Sequence, residues 1–216
     1  MHAKIPDSDP STTAGPAYDT LSAPGTAETK VQRSRFLAEA HPAADEQEAR
    51  AFLDGMTKRH HDARHHCFAW RLGHGSNLIE FRSDAGEPSG SAGEPILNAL
   101  RQADVTDTVA VVARWFGGVK LGTGGLGRAY RQAATEALGQ ATRKRIYLGT
   151  ELKLHFPYPL QKTVSHLLEA QCGHTLNEQY DQAVTWTVWL PDHRVDDFTV
   201  VVLDAGQGKL TLERLD

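Results

Sequence analysis

Between Arg114 and Arg128 the chain reads Arg-Trp-Phe-Gly-Gly-Val-Lys-Leu-Gly-Thr-Gly-Gly-Leu-Gly-Arg. Thr108 to Ala113, just before it, is an apolar run with the character of a buried strand, and Ala129 to Leu138, just after it, has helical spacing. A chain that passes from strand to helix through six glycines leaves backbone N–H groups unpaired. It also lets a second backbone or a phosphate approach closely. A second such loop lies upstream, Asp84-Ala-Gly-Glu-Pro-Ser-Gly-Ser-Ala-Gly-Glu-Pro95. Residues 84–127 hold nine of the nineteen glycines in about a fifth of the chain. Both loops abut strongly patterned elements, so neither reads as a linker.

A chain of 216 residues makes one large domain or two small ones and buries a core without staples. The net charge of −4 excludes an overall polycation, but the charge is unevenly placed. Residues 101–150 carry eight Lys/Arg against three Asp/Glu, and residues 151–216 carry five against ten. That asymmetry predicts two modules with different faces. Two cysteines without close spacing, Cys67 and Cys172, fit a reducing compartment. No apolar run reaches the length of a membrane span, so no membrane partner is expected. The first thirty residues are rich in Pro, Ser, Thr, Ala and Gly and lack the basic start and apolar core of a secretory leader. Residues 1–30 therefore read as a disordered extension, and the chain as cytoplasmic.

The remaining pattern predicts strands at Ser34–Ala40, His66–Leu72, Asn77–Arg82 and Thr108–Phe116, with helices at Asp45–Arg59, Ile96–Ala103 and Ala129–Leu138. Beyond Gly139–Arg145 it predicts strand Ile146–Phe156, helix Pro159–Ala170 and strand His174–Leu176. A turn at Asn177–Gln182, strand Ala183–Leu190, helix Val195–Asp204 and strand Lys209–Leu215 complete it. That order is βαββαβ, the ferredoxin-like pattern. The expected organisation is α+β with two domains, 31–142 and 143–216.

Gly122 to Gly127 matches G-x-G-x-x-G, but Val119-Lys120-Leu121 separates the glycines from their strand, and Tyr147 stands where an acidic residue belongs. A dinucleotide site is therefore disfavoured. An anion cradle fits better, with Lys120 and Arg128 flanking free amides at a helix start. The alternative is that the glycines serve only tight packing. His60, His61, His65, His66, Cys67 and His74 invite a metal reading, but no second ligand pair stands at a familiar spacing, so no metal and no cofactor is expected. Cys67 with His65 resembles a nucleophile–base pair; a packed, structural Cys67 suits its strand better. Asp84, Glu87 and Glu94 offer carboxylates for acid–base work or simple solvation.

Three ordered segments carry a family resemblance: Ala63-Arg-His-His-Cys-Phe-Ala-Trp70, Gly86-Glu-Pro-Ser-Gly-Ser-Ala-Gly-Glu-Pro-Ile-Leu97, and the run from Arg114 through Tyr130. With Ser34-Arg35-Phe36 they resemble the IMPACT family in its bacterial form. The resemblance covers roughly residues 30–216. It implies an N-terminal domain like the second domain of a small-subunit ribosomal protein. It also implies a ferredoxin-like C-terminal domain like the last domain of elongation factor G. Eukaryotic relatives regulate translation through an added RWD domain. No such domain is expected in this chain, so that mechanism is not carried over. Many relatives have an acidic residue where Ala85 stands and a lysine where Glu94 stands.

The resulting expectation is a non-enzymatic, translation-associated regulator that binds RNA, the ribosome or a translation factor. The alternatives are an enzyme acting on a nucleotide or other phosphorylated small molecule, or a protein-interaction module. The expected ligand residues are Asp84, Gly86, Glu87, Ser89, Gly90, Ser91, Arg114, Lys120, Gly122, Thr123, Gly124, Gly125, Arg128 and Arg131. His65, Cys67 and Tyr130 are secondary. The two glycine-rich loops are expected to meet on one face.

Overall fold

The computed structural model describes residues 16–215. They divide into one unit of residues 18–145 and another of residues 146–215 with residues 16 and 17. The expected boundary at 142/143 falls three residues before this division. Among the described residues, no helix is long and apolar enough to cross a membrane.

The first unit contains β1 (Ala17–Ala23), β2 (Gly25–Val31), β3 (Ser34–Pro42), α1 (Glu46–Arg59), β4 (His65–Leu72) and β5 (Ile79–Ser83). It continues through α2 (Gly93–Ala103), β6 (Thr108–Trp115), α3 (Gly122–Gln140) and the first four residues of β7 (Thr142–Tyr147), which runs across the division. Five strands form an antiparallel sheet in the order β2-β3-β6-β4-β5, and β1 pairs with β7. The continuous apolar run of β6 follows from burial on both faces. Its Ala110 and Val112 pack with α2 and α3, and its Val109, Val111 and Ala113 pack against Ala49 and Met56 of α1.

The disorder expected over residues 1–30 is corrected for residues 17–30, which form β1 and β2; residues 1–15 lie outside the described residues. Leu21 is fully buried in the core under α2 and α3. With so few apolar residues in this stretch, composition alone hid the two strands. The glycine-rich loop is also shorter than expected. α3 begins at Gly122, so Gly122 to Gly127 form its first turns rather than a preceding loop.

The second unit contains β8 (Gly149–Phe156), α4 (Gln161–Ala170), β9 (His174–Tyr180), β10 (Val184–Pro191), α5 (Val195–Gly206) and β11 (Thr211–Leu215). The order is βαββαβ, in one antiparallel sheet ordered β11-β8-β10-β9. Its core packs Leu152, Leu154 and Phe156 against Val164 and Leu168 of α4 and Phe198 and Val202 of α5. Two local expectations are corrected. The strand expected from Ile146 is broken at Leu148 into β7 and β8, and the turn expected at Asn177 is strand through Tyr180. β9 is polar because it is an edge strand exposed along most of its length, so it lacks a core-facing signal.

Candidate functional site

The site grows from sheet register. At the end of β6, Arg114 lies opposite Phe36 of β3 and His65 of β4. It continues the row of Ala110 and Val112 and is drawn into the layer under α3. Its side chain is only 6% exposed, and that of Glu87 only 4%. Arg114 Nη1 donates to Glu87 Oε1 at 2.6 Å, and the Tyr130 hydroxyl of α3 donates to the same oxygen at 2.8 Å. Arg114 Nη2 donates to Ser34 Oγ at 3.3 Å, and the Gly117 amide donates to that hydroxyl at 3.3 Å. Arg114 Nε is buried with no partner among the described residues.

His65 Nδ1 lies 2.9 Å from the Ala85 carbonyl. A carbonyl only accepts, so Nδ1 carries a hydrogen, and the Nε2 of His65 faces Glu87 Oε1, 3.9 Å away. Ala85 holds this position with φ of 43°, a left-handed conformation that costs a non-glycine residue about 1–2 kcal/mol.

Cys67 Sγ donates to the Asp84 carbonyl at 3.0 Å and lies 3.4 Å from the Tyr130 hydroxyl. Burial pushes this thiol up to about 12, and the nearby Glu87 and Asp84 carboxylates add to the rise. Burial likewise holds the Tyr130 phenol far above its usual range, reinforced by Cys67 and Glu87. At neutral pH Cys67 is therefore a protonated, inert thiol. Iodoacetamide at pH 7 is expected to modify the half-buried Cys172 while Cys67 reacts only after denaturation. Mass spectrometry of the modified peptides reads this. Prompt labelling of native Cys67 would contradict it.

The two helix starts differ sharply. At α2, Asp84 accepts from the amides of Gly90 at 2.8 Å, Ala92 at 2.9 Å and Gly93 at 2.8 Å. Burial works to raise this carboxyl, yet the three amides together hold it below its usual range. The positive end of α2 is thus neutralised. At α3 no side chain caps the N-terminus and no acidic residue stands in the first turn. Instead Arg128 folds back, its Nη1 3.8 Å from where a Cβ of Gly124 would stand. A cation at the positive end of a helix is unfavourable unless an anion joins it. Lys120, Arg128 and Arg131 are exposed and, among the described residues, have no ion pair.

The two starts are neighbours. A Cβ on Gly127 would lie 3.5 Å from Pro95 Cγ and 4.0 Å from the Ser91 carbonyl. Of the expected site residues, Asp84, Glu87, Arg114, His65, Cys67 and Tyr130 join one buried network, with Gly86 against the His65 ring. Gly90 is bound to Asp84, and Ser91 Oγ donates to the Pro88 carbonyl at 2.6 Å. Ser89 is exposed. Lys120, Gly122, Thr123, Gly124, Gly125 and Arg128 lie at the bare α3 start, whereas Arg131 is exposed in the third turn of α3. Arg143 and Arg145, in the basic run after α3, are engaged with the Ala103 carbonyl and with Asp19. Glu94 is held by Arg82 and Arg101, so it adds no free negative charge. Sequence reading passed over Ser34 as a site residue, although it joins Arg114 to Gly117. It also passed over Phe116, whose signal is an aromatic side chain between Arg114 and two glycines.

Two family profiles match the chain: the Impact N-terminal domain over residues 32–138 and a domain of unknown function, DUF1949, over residues 154–209. The chain is 38% identical over 193 residues to the IMPACT family member YigZ of Escherichia coli, covering 88% of this chain and 94% of that protein. It is 42% identical over 122 residues to the IMPACT family member YvyE of Bacillus subtilis, covering 56% of each. A crystal structure of a hypothetical protein superposes with a TM-score of 0.64 at 34% identity, covering 93% of this chain and 98% of that one. With the buried Glu87–Arg114–Tyr130 cluster lying inside the first matched region, the chain belongs to the IMPACT family.

Proposed function

We propose that this protein is a cytoplasmic, non-enzymatic regulator associated with translation, and that it binds RNA, free or within the ribosome, through its N-terminal unit. One observation carries the reading. Of two adjacent helix starts, α2 is neutralised by Asp84, whereas α3 is uncapped, with the unpaired cations Lys120 just before it, Arg128 in its second turn and Arg131 a turn further along. Such an arrangement favours phosphate oxygens. The buried network beneath it supports a scaffold role, since Glu87 Oε1 already serves Arg114 and Tyr130 and Cys67 stays protonated.

A titration with single-stranded RNA across salt concentrations tests this. The Lys120→Ala/Arg128→Ala variant is expected to bind at least ~10-fold more weakly, with the slope of log affinity against log salt reduced by about 1.4. Unchanged affinity and slope would reject the site. A second reading, an enzyme acting on a phosphorylated small molecule, is favoured by the approach of His65 Nε2 to Glu87. It predicts turnover lost in His65→Gln while RNA binding is untouched.

A further inference from the structure

We propose that Phe116 is a stacking platform for an unpaired base, so that the RNA held at the α3 start is single stranded there. The inference rests on the RNA-binding reading and specifies its ligand. Phe116 directly follows β6, where Thr108 to Arg114 are all buried, yet it is itself 42% exposed. The other exposed phenylalanine of this unit, Phe81, is 43% exposed and lies over Trp70 with ring centroids 4.7 Å apart. Among the described residues no ring stacks on Phe116; its neighbour is the buried Arg114 guanidinium, 5.5 Å from the ring centroid.

The backbone beside the ring is anchored. The next residue, Gly117, is tied through its amide to Ser34 Oγ and is pressed against the backbone of Arg33. An aromatic fixed by its own backbone gives up little freedom on stacking. Two exposed cations belong to the same stretch of the fold: Arg33, whose backbone abuts Gly117, and Lys120, four residues after Phe116 and just before the bare start of α3. An exposed aromatic combined with nearby cations is the arrangement that engages a base and its flanking phosphates on a single strand. Bases in a duplex are already stacked and expose no face to such a ring.

The test uses the full chain and three probes: a labelled 12-nucleotide oligo(U), an RNA duplex of the same length, and inorganic polyphosphate as a charge-only ligand. The parent is expected to prefer oligo(U) to the duplex. Phe116→Leu keeps apolar volume and removes the ring. It is expected to weaken oligo(U) binding by about 5–100-fold at fixed salt, to leave polyphosphate binding and the salt slope unchanged, and to be reversed by Phe116→Trp. Circular dichroism confirms that each variant is folded. Binding of oligo(U) that depends on Lys120 and Arg128 but not on Phe116 would overturn the stacking proposal and leave RNA binding standing. Equal loss of oligo(U) and polyphosphate in Phe116→Leu would overturn it as well. A parent that binds polyphosphate but neither RNA probe would overturn the RNA reading itself.

Discussion

Replacing Glu87 with alanine is expected to destabilise the N-terminal unit by about 3–5 kcal/mol. The change leaves the Arg114 guanidinium in a pocket where its side chain is 6% exposed, with Ser34 as its one remaining hydrogen-bonding side chain among the described residues. Its Nε is already without a partner, so the cluster has no spare acceptor to take over. The Tyr130 hydroxyl loses the same oxygen. Removing one member of a buried ion pair costs far more than the pair contributes, because the remaining charge has neither water nor counter-charge. Glu87→Gln keeps an oxygen for both donors and is expected to cost less. Arg114→Met combined with Glu87→Leu removes both charges and is expected to recover most of the loss. Urea denaturation of the four proteins gives the comparison. A Glu87→Ala variant within about 1 kcal/mol of the parent would mean that water satisfies Arg114, and the pair would then not be the anchor of this site.

Legibility in the sequence followed the physics of each element. The C-terminal unit was readable because β8 and β10 alternate and its helices carry clear apolar stripes. The α3 start was not readable, since each helical glycine opposes the helix by about 1 kcal/mol and the run of Gly122, Gly124, Gly125 and Gly127 signals a loop. What overrides that preference is tertiary packing of Leu126, Ala129, Tyr130 and Ala133 in the core. At Gly127 the missing side chain also lets α3 close onto Pro95 of α2. The candidate residues were legible as types, but their roles were not. Glu87 and Arg114 are 27 positions apart on different elements, and only sheet register and the α3 crossing bring them to one oxygen. Sequence spacing therefore grouped the accessible cations Lys120 and Arg128 with a buried ion pair that has its own partners.

The second large effect is expected at Gly117. A Cβ there would lie 2.0 Å from both the carbonyl carbon and oxygen of Arg33. These are backbone atoms of the turn between β2 and β3, so no rotamer change relieves the overlap, and either the turn or the β6–α3 connection must move. Gly117→Ala is expected to cost about 3 kcal/mol or more. It should also break the hydrogen bond that the Gly117 amide donates to Ser34 Oγ and so loosen the second support of Arg114. Two nearby glycines separate this from the general cost of adding a methyl group. Gly118 has open space but φ of 84°, so Gly118→Ala is expected to lose only about 1–2 kcal/mol of backbone conformational energy. Gly139, in the last turn of α3, has open space and no positive φ, so Gly139→Ala is expected to gain up to about 1 kcal/mol from helix propensity. Thermal and urea unfolding of the three variants should therefore rank Gly117→Ala far below Gly118→Ala, with Gly139→Ala above the parent. If Gly117→Ala and Gly118→Ala lose stability equally, the contact with Arg33 does not fix the loop. The positions of Phe116 and Lys120 would then owe nothing to it. If the ranking holds and folded Gly117→Ala also binds RNA weakly while Gly118→Ala does not, the close approach at Arg33 is what aims this loop at its ligand.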